Sequence, residues 1–162
     1  MKHNTIARFT NLAVITLFAA LSFTACDNSS DDDDHEHADA EGFVLRMNGQ
    51  DVVTQLPDAD VTGGFTIAAG EETPLITIQF IDHDGDFFQP EGDEYSLRAT
   101  FSTPEIAEFE QHEEDGTWSF HIHAEAVGTT NMTLQLYHND HSDFDTQEIA
   151  ITVTQAVLAS NN

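Results

Sequence analysis

The sequence predicts an all-β domain, a β-sandwich of about eight to nine short antiparallel strands. From Gly42 onward, apolar residues alternate with polar ones or gather in short runs, and no long stretch repeats with the period of a helix. Turn-forming residues separate these runs at regular intervals. With 162 residues, 40% of them hydrophobic, the chain can bury one core of ordinary size.

The strands follow one another closely along the chain. The first two form a hairpin in FVLRMNGQDVVTQL, because Asn48-Gly49 tolerates the positive φ angles of a two-residue turn. Further strands are predicted at Thr62–Ala68, Pro74–Ile81, Glu94–Ser102, Ile106–Glu110, Thr117–Glu125, Asn131–His138 and Thr146–Thr154. The sandwich therefore covers residues 42–157, and residues 158–162 are expected to be a disordered tail.

The start of the chain is organised like a secretion signal. Lys2 and Arg8 supply a short positive region, and Ile6–Ala20 is an apolar run too short and too interrupted for a comfortable transmembrane helix. The stretch LSFTAC comes next, and the chain after Cys26 is intensely polar. Residues 1–25 are therefore predicted to be a cleaved signal peptide.

Cys26 is the only cysteine of the chain. The preceding residues, in LSFTAC, resemble the lipobox of bacterial lipoproteins, although Phe23 stands where the usual pattern has leucine. That resemblance implies that Cys26 is lipidated, becomes the first mature residue and anchors the protein to a membrane. The alternative is an ordinary secretory signal with a free cysteine near the cut. Either way, the folded part has no disulfide and no thiolate metal site.

Residues 26–41 are predicted to form a lipidated, acidic and flexible tether, since DNSSDDDDHEHADAE has little to bury and many like charges. Its SSDDDD stretch resembles the export signal of surface lipoproteins in the Bacteroidota. This resemblance implies an outer-membrane lipoprotein exposed on the cell surface. The alternative is the periplasmic face, because Asp27 stands directly after the anchor cysteine, where an aspartate resembles the signal that keeps lipoproteins in the inner membrane.

The charge balance restricts the partners of the folded part. Beyond the signal peptide only Arg46 and Arg98 are basic, against all 30 acidic residues. Nucleic acid and anionic lipid headgroups are therefore poor partners. So strong an imbalance is typical either of cation binding or of solubility in a salty habitat.

Four segments in a fixed order resemble bacterial immunoglobulin-like domains. They are GEETPLITIQFIDHDGD, STPEIAEFEQ, GTWSFHIHAEAVGTTNMTLQLYH and EIAITVTQ, which together cover about residues 61–153. The resemblance implies an immunoglobulin-like sandwich used for display or adhesion, in a bacterial surface lipoprotein. It implies no catalytic residue.

The chain carries nine histidines, and those of two neighbouring strands occupy different faces. His121 and His123 lie two residues apart and share a solvent-facing side, because the alternate positions are apolar. If the chain turns back near Gly128, that strand pairs with residues 131–138, and His138 lies on the opposite, inward face. A single centre containing all of them would need a β-bulge to redirect one strand.

The loops offer a better grouping of possible ligands. If consecutive strands alternate in direction, the loops at residues 82–92, 111–116 and 138–144 emerge at one end of the sandwich, provided that residues 106–110 form a true strand. The candidate metal ligands at this end or on its rim are His83, His112, His121, His123, His138, His141 and Asp143.

Imidazole and carboxylate ligands without thiolate favour zinc, with copper and nickel as alternatives. This interpretation predicts that at least three of the six histidine rings bring ring nitrogens within about 5 Å of one another, and scattered rings would count against it. The other interpretation is that the histidines are solvated and share no ligand. Calcium is an alternative at DHDGD, residues 82–86, but the glycine and glutamate of an EF-hand are misplaced, which favours a β-turn with solvated aspartates.

Together, these features predict a lipid-anchored, surface-displayed immunoglobulin-like module that binds a divalent transition metal through loop histidines. The alternative is a structural or adhesive display domain with no metal site. No enzymatic activity is predicted, because no serine lies in a nucleophile-elbow sequence and no glycine-rich phosphate loop is present. The sequence identifies no protein or glycan partner.

Overall fold

A computed structural model of the chain describes residues 38–156. These residues form two β-sheets that enclose a hydrophobic core, which confirms the predicted all-β sandwich. The predicted signal peptide, Cys26, residues 26–37 of the predicted tether and the tail at residues 158–162 lie outside the described residues. Within residues 38–156, no helix is long and apolar enough to cross a membrane.

Twelve strands make up the two sheets of the described part, and two of them are only two residues long. The first sheet contains β1 (Gly42–Met47), β2 (Gln50–Gln55), β3 (Thr62–Gly63), β5 (Ile76–Ile81), β6 (Phe87–Phe88), β8 (Ala107–Glu110) and β9 (Ser119–Ala124). The second contains β4 (Phe65–Ala68), β7 (Tyr95–Phe101), β10 (Gly128–His138), β11 (His141–Asp145) and β12 (Ile149–Thr154).

The strand order explains how distant segments meet. The first sheet runs β3-β2-β1-β5-β9-β8, with β6 also paired to β5. In the second sheet, β10 pairs with β7 along one edge and with both β11 and β12 along the other, and β12 pairs with β4. Among the described strands, β12 and β4 are the one parallel pair. The predicted strand at residues 106–110 is present as β8.

The core lies between the sheets and is built from the alternate residues of each strand. Phe43, Phe80 and Phe120 are fully buried. The ring of Phe80 meets those of Trp118 and Phe144 edge to face, with centroids 5.4 and 6.3 Å away. Because Phe144 belongs to the second sheet and Phe80 to the first, this aromatic contact joins the two layers at one end of the core.

The predicted first hairpin is confirmed. β1 and β2 pair from Met47 and Gln50 outward, and the intervening Asn48 and Gly49 have φ angles of 53° and 77°. Glycine and asparagine are the residues that adopt these angles at least cost, so the local sequence is sufficient to set this turn.

The predicted pairing of residues 117–125 with residues 131–138 is wrong. β9 pairs with β8 and β5 in the first sheet, whereas β10 lies in the second, so the chain crosses between the sheets after Ala124. The Gly128–Thr130 stretch, which signalled a turn, is instead the start of β10 and pairs with β12. Threonine favours strands, and pairing with β12, which lies about twenty residues further along the chain, stabilises the strand rather than a turn.

Among the described glycines, Gly63 is the one at which an added Cβ would come closest to another atom. It has a φ of +91°, and a Cβ at this position would overlap the carbonyl oxygen of Val52. Gly63→Ala should therefore lower the free energy of unfolding by about 2 kcal/mol, measured by urea denaturation. Gly70→Ala is the control, because Gly70 has a φ of +81° with open space around it and should cost about 1 kcal/mol. Equal losses would contradict this account of Gly63.

Candidate metal centre

Three loops that sequence analysis placed together do meet at one end of the sandwich. The Trp118 indole donates a hydrogen bond to the carbonyl of Pro90, and the amide of Asn139 donates to the carbonyl of Glu94. His83 lines one groove with residues of β11, and Tyr95 lines another with residues of the 111–116 loop. The alternating strand directions thus bring the predicted ligand loops to a common end.

The six candidate histidines nevertheless do not form one centre. Within residues 38–156, the groups that could hold a metal contain at most two histidines each. His138 and His141 converge on Asp143, while His112 and His121 converge on Asp115. The expectation that at least three imidazoles converge is therefore wrong, and each group is completed by a carboxylate instead.

His138, His141 and Asp143 form what we call the hairpin cluster. His138 is the last residue of β10 and lies directly opposite His141, the first residue of β11, so both rings project on the same side of the sheet. Their ring centroids are 5.5 Å apart. A two-residue connection, in which Asn139 has a φ of 50°, joins the strands. The tight turn therefore fixes the separation of the two imidazoles.

A β-bulge brings Asp143 to the same place. The register of β10 and β11 shifts after the Tyr137–Ser142 pair, so that Leu136 faces Phe144 and Asp143 is the extra residue. Bulges redirect side chains in this way, so two successive residues can both face inward. Phe144 packs on the core, while the side chain of Asp143 is only 1% exposed.

The carboxylate of Asp143 lies between the two rings. Its Oδ1 is 3.0 Å from Nε2 of His141, and its Oδ2 is 3.6 Å from Nδ1 of His138. The same Oδ2 accepts a hydrogen bond of 3.0 Å from the backbone amide of Ala38. A buried carboxylate is stable only where donors or positive charge replace its lost hydration. The amide of Ala38 supplies one donor, and the imidazole of His141 lies within hydrogen-bonding distance of the other carboxylate oxygen. A metal cation between the imidazoles would bring positive charge to the same carboxylate.

Neighbouring residues hold the rings in position. Tyr95, paired with His138 across β7 and β10, stacks on its imidazole with a centroid distance of 4.5 Å. Nδ1 of His141 lies 3.2 Å from Oδ1 of Asp140. In metal-bound histidines, one ring nitrogen donates to a carboxylate or carbonyl and the other binds the metal. In such a complex, Nδ1 of His141 would donate to Asp140, and Nε2, which lies 3.0 Å from Asp143, would be the nitrogen available to the ion.

The ligand set fits a borderline metal ion. Zinc takes imidazole nitrogen and carboxylate oxygen at about 2.0–2.2 Å, so two ligands of one tetrahedral ion lie roughly 3.3 Å apart. The carboxylate of Asp143 lies 3.0 Å from Nε2 of His141 and 3.6 Å from Nδ1 of His138, and these two distances fall on either side of that value. Three protein ligands leave a fourth position, and the adjoining groove is lined by residues 38–41 and His83.

The other candidate histidines lie elsewhere. The side chain of His83 is 68% exposed, with Nε2 at 3.3 Å from Asp84. His123 pairs with Glu125 at 3.0 Å. Neither belongs to a metal-ligand group of the described residues. His112 and His121, with Asp115, form a separate group that we call the loop cluster.

The DHDGD loop uses its first aspartate to build its own turn. Oδ1 of Asp82 accepts hydrogen bonds from the amides of Asp84 and Asp86, at 3.0 and 2.9 Å. The loop closes the β5–β6 hairpin, in which Ile81 faces Phe87. This is the turn favoured by the sequence, and none of its aspartates belongs to a ligand group within residues 38–156.

Sequence reasoning missed two contributors to these clusters, Ala38 and Tyr95. It placed Asp115 in the predicted ligand loop at residues 111–116 but did not select it as a ligand. Ala38 was assigned to the flexible tether, yet it bonds Asp143 across 105 residues of sequence. Tyr95 resembled an ordinary strand residue, and no local pattern shows that it stacks on His138. Asp115 carried the one usable signal, since it follows His112 by three residues, the spacing of one short helical turn.

Comparisons with known proteins give no family for the chain. No family model matches it, and no curated protein is similar to it at a significant level. Among solved structures, domains 4 and 5 of the S-layer protein SbsC are similar, with a TM-score of 0.41, 15% identity and coverage of 63% of this chain and 52% of that one. Domains 4–9 of SbsC give a TM-score of 0.44 and 13% identity, over 78% of this chain and 24% of that one. The chain thus spans about half of the first structure, and scores this low assign no function.

Proposed function

We propose that the protein is a lipid-anchored β-sandwich module, displayed on the bacterial surface, that binds a divalent transition metal at the hairpin cluster. The observation that carries the metal assignment is the side chain of Asp143, which is 1% exposed and lies between two imidazoles. The anchor at Cys26 and the surface location are supported by the lipobox-like and SSDDDD stretches of the sequence. Zinc is the preferred ion, and copper and nickel also suit two nitrogens and a carboxylate.

A metal at this position would bridge the two strands of the β10–β11 hairpin, and the carboxylate that binds it also holds the start of the described chain, 105 residues away from Asp143. His138 ends β10, His141 and Asp143 belong to β11, and Ala38 bonds the same carboxylate from the start of the described chain. Binding to the folded state alone stabilises it, so the ion would hold this end of the sandwich together. The role is metal capture or metal-dependent adhesion by the displayed domain.

Binding, rather than catalysis, is proposed. Ser142 is the serine within the cluster's hairpin, and its hydroxyl lies within hydrogen-bonding distance of Asp145 and of the carbonyls of Leu136 and Phe144. Its proton is thus directed at acceptors other than an imidazole, whereas a serine nucleophile requires an adjacent base.

A second candidate function is structural or adhesive display without a metal. The observation that favours it is the short contact between His141 and Asp143, because an ion pair at 3.0 Å can satisfy both groups. The acidic residues would then serve solubility alone. This candidate and the metal module share the same fold and anchor, and they differ only in whether the hairpin cluster binds zinc.

Zinc titration of the full chain distinguishes the two candidates. The starting protein carries His3→Ala, Cys26→Ser, His35→Ala and His37→Ala, which remove loose ligands outside the sandwich; we call it the background protein. His138→Ala/His141→Ala in this protein should reduce the zinc stoichiometry, measured by calorimetry, by one equivalent. The physical reason is that two of the three ligands are lost, and one carboxylate alone holds zinc weakly.

The matched control is His123→Ala, which removes an imidazole from β9 that belongs to neither cluster. It should leave the stoichiometry unchanged. Circular dichroism establishes whether the double variant is folded. If it is not, His141→Ala alone replaces it in the titration, because the side chain of His141 is 40% exposed and its removal should not disturb folding. An unchanged stoichiometry in a folded variant would refute the metal module and favour the display domain.

A further inference from the structure

We propose that the loop cluster is a second divalent-metal site, independent of the first. It consists of His112, Asp115 and His121, whose ligand atoms lie within 4.8 Å of one another. It shares no residue with the hairpin cluster. Its ligands come from β9 and from the loop that follows β8, so its occupancy does not rest on the proposed function of the hairpin cluster.

A short helical turn brings two of the ligands together. Residues Glu113–Asp115 form a 3₁₀ turn, and the amide of Asp115 donates to the carbonyl of His112 at 3.0 Å. In a 3₁₀ turn, side chains three residues apart lie almost directly above one another. His112 and Asp115 therefore face the same side, where the ring of His121 lies 5.5 Å from that of His112, centroid to centroid.

The hydrogen bonding of His121 leaves Nε2, the ring nitrogen that faces Asp115, available to bind a metal. Its Nδ1 is 2.9 Å from the backbone carbonyl of Thr73. A carbonyl only accepts, so Nδ1 carries a proton, and in the neutral ring the lone pair lies on Nε2. That Nε2 faces Oδ2 of Asp115 at 3.5 Å. In that neutral form, the lone pair and the carboxylate oxygen repel each other, and a cation between them, whether a proton or a metal ion, turns this repulsion into attraction.

The groups that contact Nδ1 of His121 are of the kind found around metal-bound histidines. Such rings donate their second N–H to a carbonyl or carboxylate, which fixes their orientation. Here Thr73 supplies the carbonyl, and Oε1 of Glu72 lies 3.1 Å from the same Nδ1. The segment is held firmly, because Thr73 exchanges two hydrogen bonds with the backbone of Ile122, at 3.0 and 3.1 Å. His121 is thus positioned before any ion arrives.

The distances and the surrounding charge suit zinc. Two ligands of one tetrahedral zinc lie roughly 3.3 Å apart, close to the 3.5 Å between His121 and Asp115. Glu110 pairs directly with His121 across β8 and β9, and with Glu72 and His112 it forms an overlapping ligand group. A carboxylate from this group can complete the coordination, so the site has both nitrogen and oxygen donors.

Exposure makes this site weaker than the hairpin cluster. His112 is exposed, whereas His138 is only 6% exposed, so binding at the loop cluster must order a free side chain. We therefore expect two classes of zinc site in the background protein, with affinities at least about tenfold apart. The tighter class belongs to the hairpin cluster and the weaker one to the loop cluster.

Calorimetric zinc titration of the background protein and of His112→Ala/Asp115→Asn in it tests this proposal. Both substituted residues lie outside the hydrophobic core, so the variant should fold. The weaker class, one equivalent, should disappear while the tighter class stays. His123→Ala, on the same strand as His121, should retain both classes. Nitrogen-15 spectra should also show the Nε2 resonance of His121 shifting as the weaker class fills.

The outcomes separate the two sites. Loss of one equivalent in the loop variant supports the second site even if the hairpin variant His138→Ala/His141→Ala loses nothing, a result that would refute only the proposed function. An unchanged titration in the loop variant, or a His121 Nε2 resonance that does not move at saturating zinc, would overturn the second site whatever the hairpin variant does.

Discussion

Zinc should raise the melting temperature of the protein by roughly 10 °C, and Asp143→Asn should abolish this rise. A ligand present at a hundred times its dissociation constant stabilises the folded state by about 2.7 kcal/mol, and a domain of this size gains several degrees per kcal/mol. Asparagine keeps the shape of Asp143 but lacks its charge, so it is a poor zinc ligand between the two imidazoles. The measurement is thermal unfolding with and without zinc, in the background protein carrying His112→Ala.

His112→Ala is included so that the loop cluster does not contribute to the shift. His123→Ala, added to the same protein, is the control and should retain the full rise with zinc. The melting temperatures without zinc report any effect of Asp143→Asn on folding itself, so the shift is compared within each variant. A zinc-dependent rise that persists undiminished in the Asp143→Asn protein would show that the ion binds elsewhere.

Phe80→Ala should lower the free energy of unfolding by about 3–5 kcal/mol, the range for truncating a buried phenylalanine. Phe80 is fully buried and its ring meets those of Phe88, Trp118 and Phe144. Truncation therefore removes buried apolar surface and leaves a cavity where the two sheets meet, which neighbouring rings fill only in part. Urea denaturation measures the loss.

Phe87→Ala is the matched control, seven residues further along the chain. Phe87 is 53% exposed and its ring lies under the guanidinium of Arg46, at 5.5 Å, so its truncation should cost less than about 1 kcal/mol. Similar losses for the two variants would mean that Phe80 is not the centre of the aromatic contact between the sheets.

The facing of each strand could be predicted from the sequence, because alternation is a local property. The parity of β9 placed Ile122 inward and the parity of β10 placed His138 inward, and both residues are buried. His121 lies on the other face of β9, but its side chain is only 15% exposed because Thr73 and Asp115 cover it, so it is less solvent-facing than predicted. The Asn48-Gly49 hairpin was predictable for the same reason, since two neighbouring residues determine its turn.

Which strands pair with one another could not be predicted in this way, because strand pairing is not a local property of the sequence. Whether β9 pairs with β10 or with β8 depends on the free energy of the whole sandwich, and the Gly128–Thr130 stretch is compatible with either arrangement. The bulge at Asp143 and the amide of Ala38 are consequences of that arrangement. The separation of the histidines into two clusters follows from it as well, so composition and spacing alone predicted one centre.

The location of zinc in a crystal tests the central claim most directly. Crystals of the background protein grown with zinc would be measured at the zinc absorption edge, and the anomalous difference map would show where the ion lies. A peak about 2.0–2.2 Å from one nitrogen of His138, one nitrogen of His141 and an oxygen of Asp143 is the expected result. Anomalous peaks confined to other positions, with the direct contact between His141 and Asp143 intact, would contradict it.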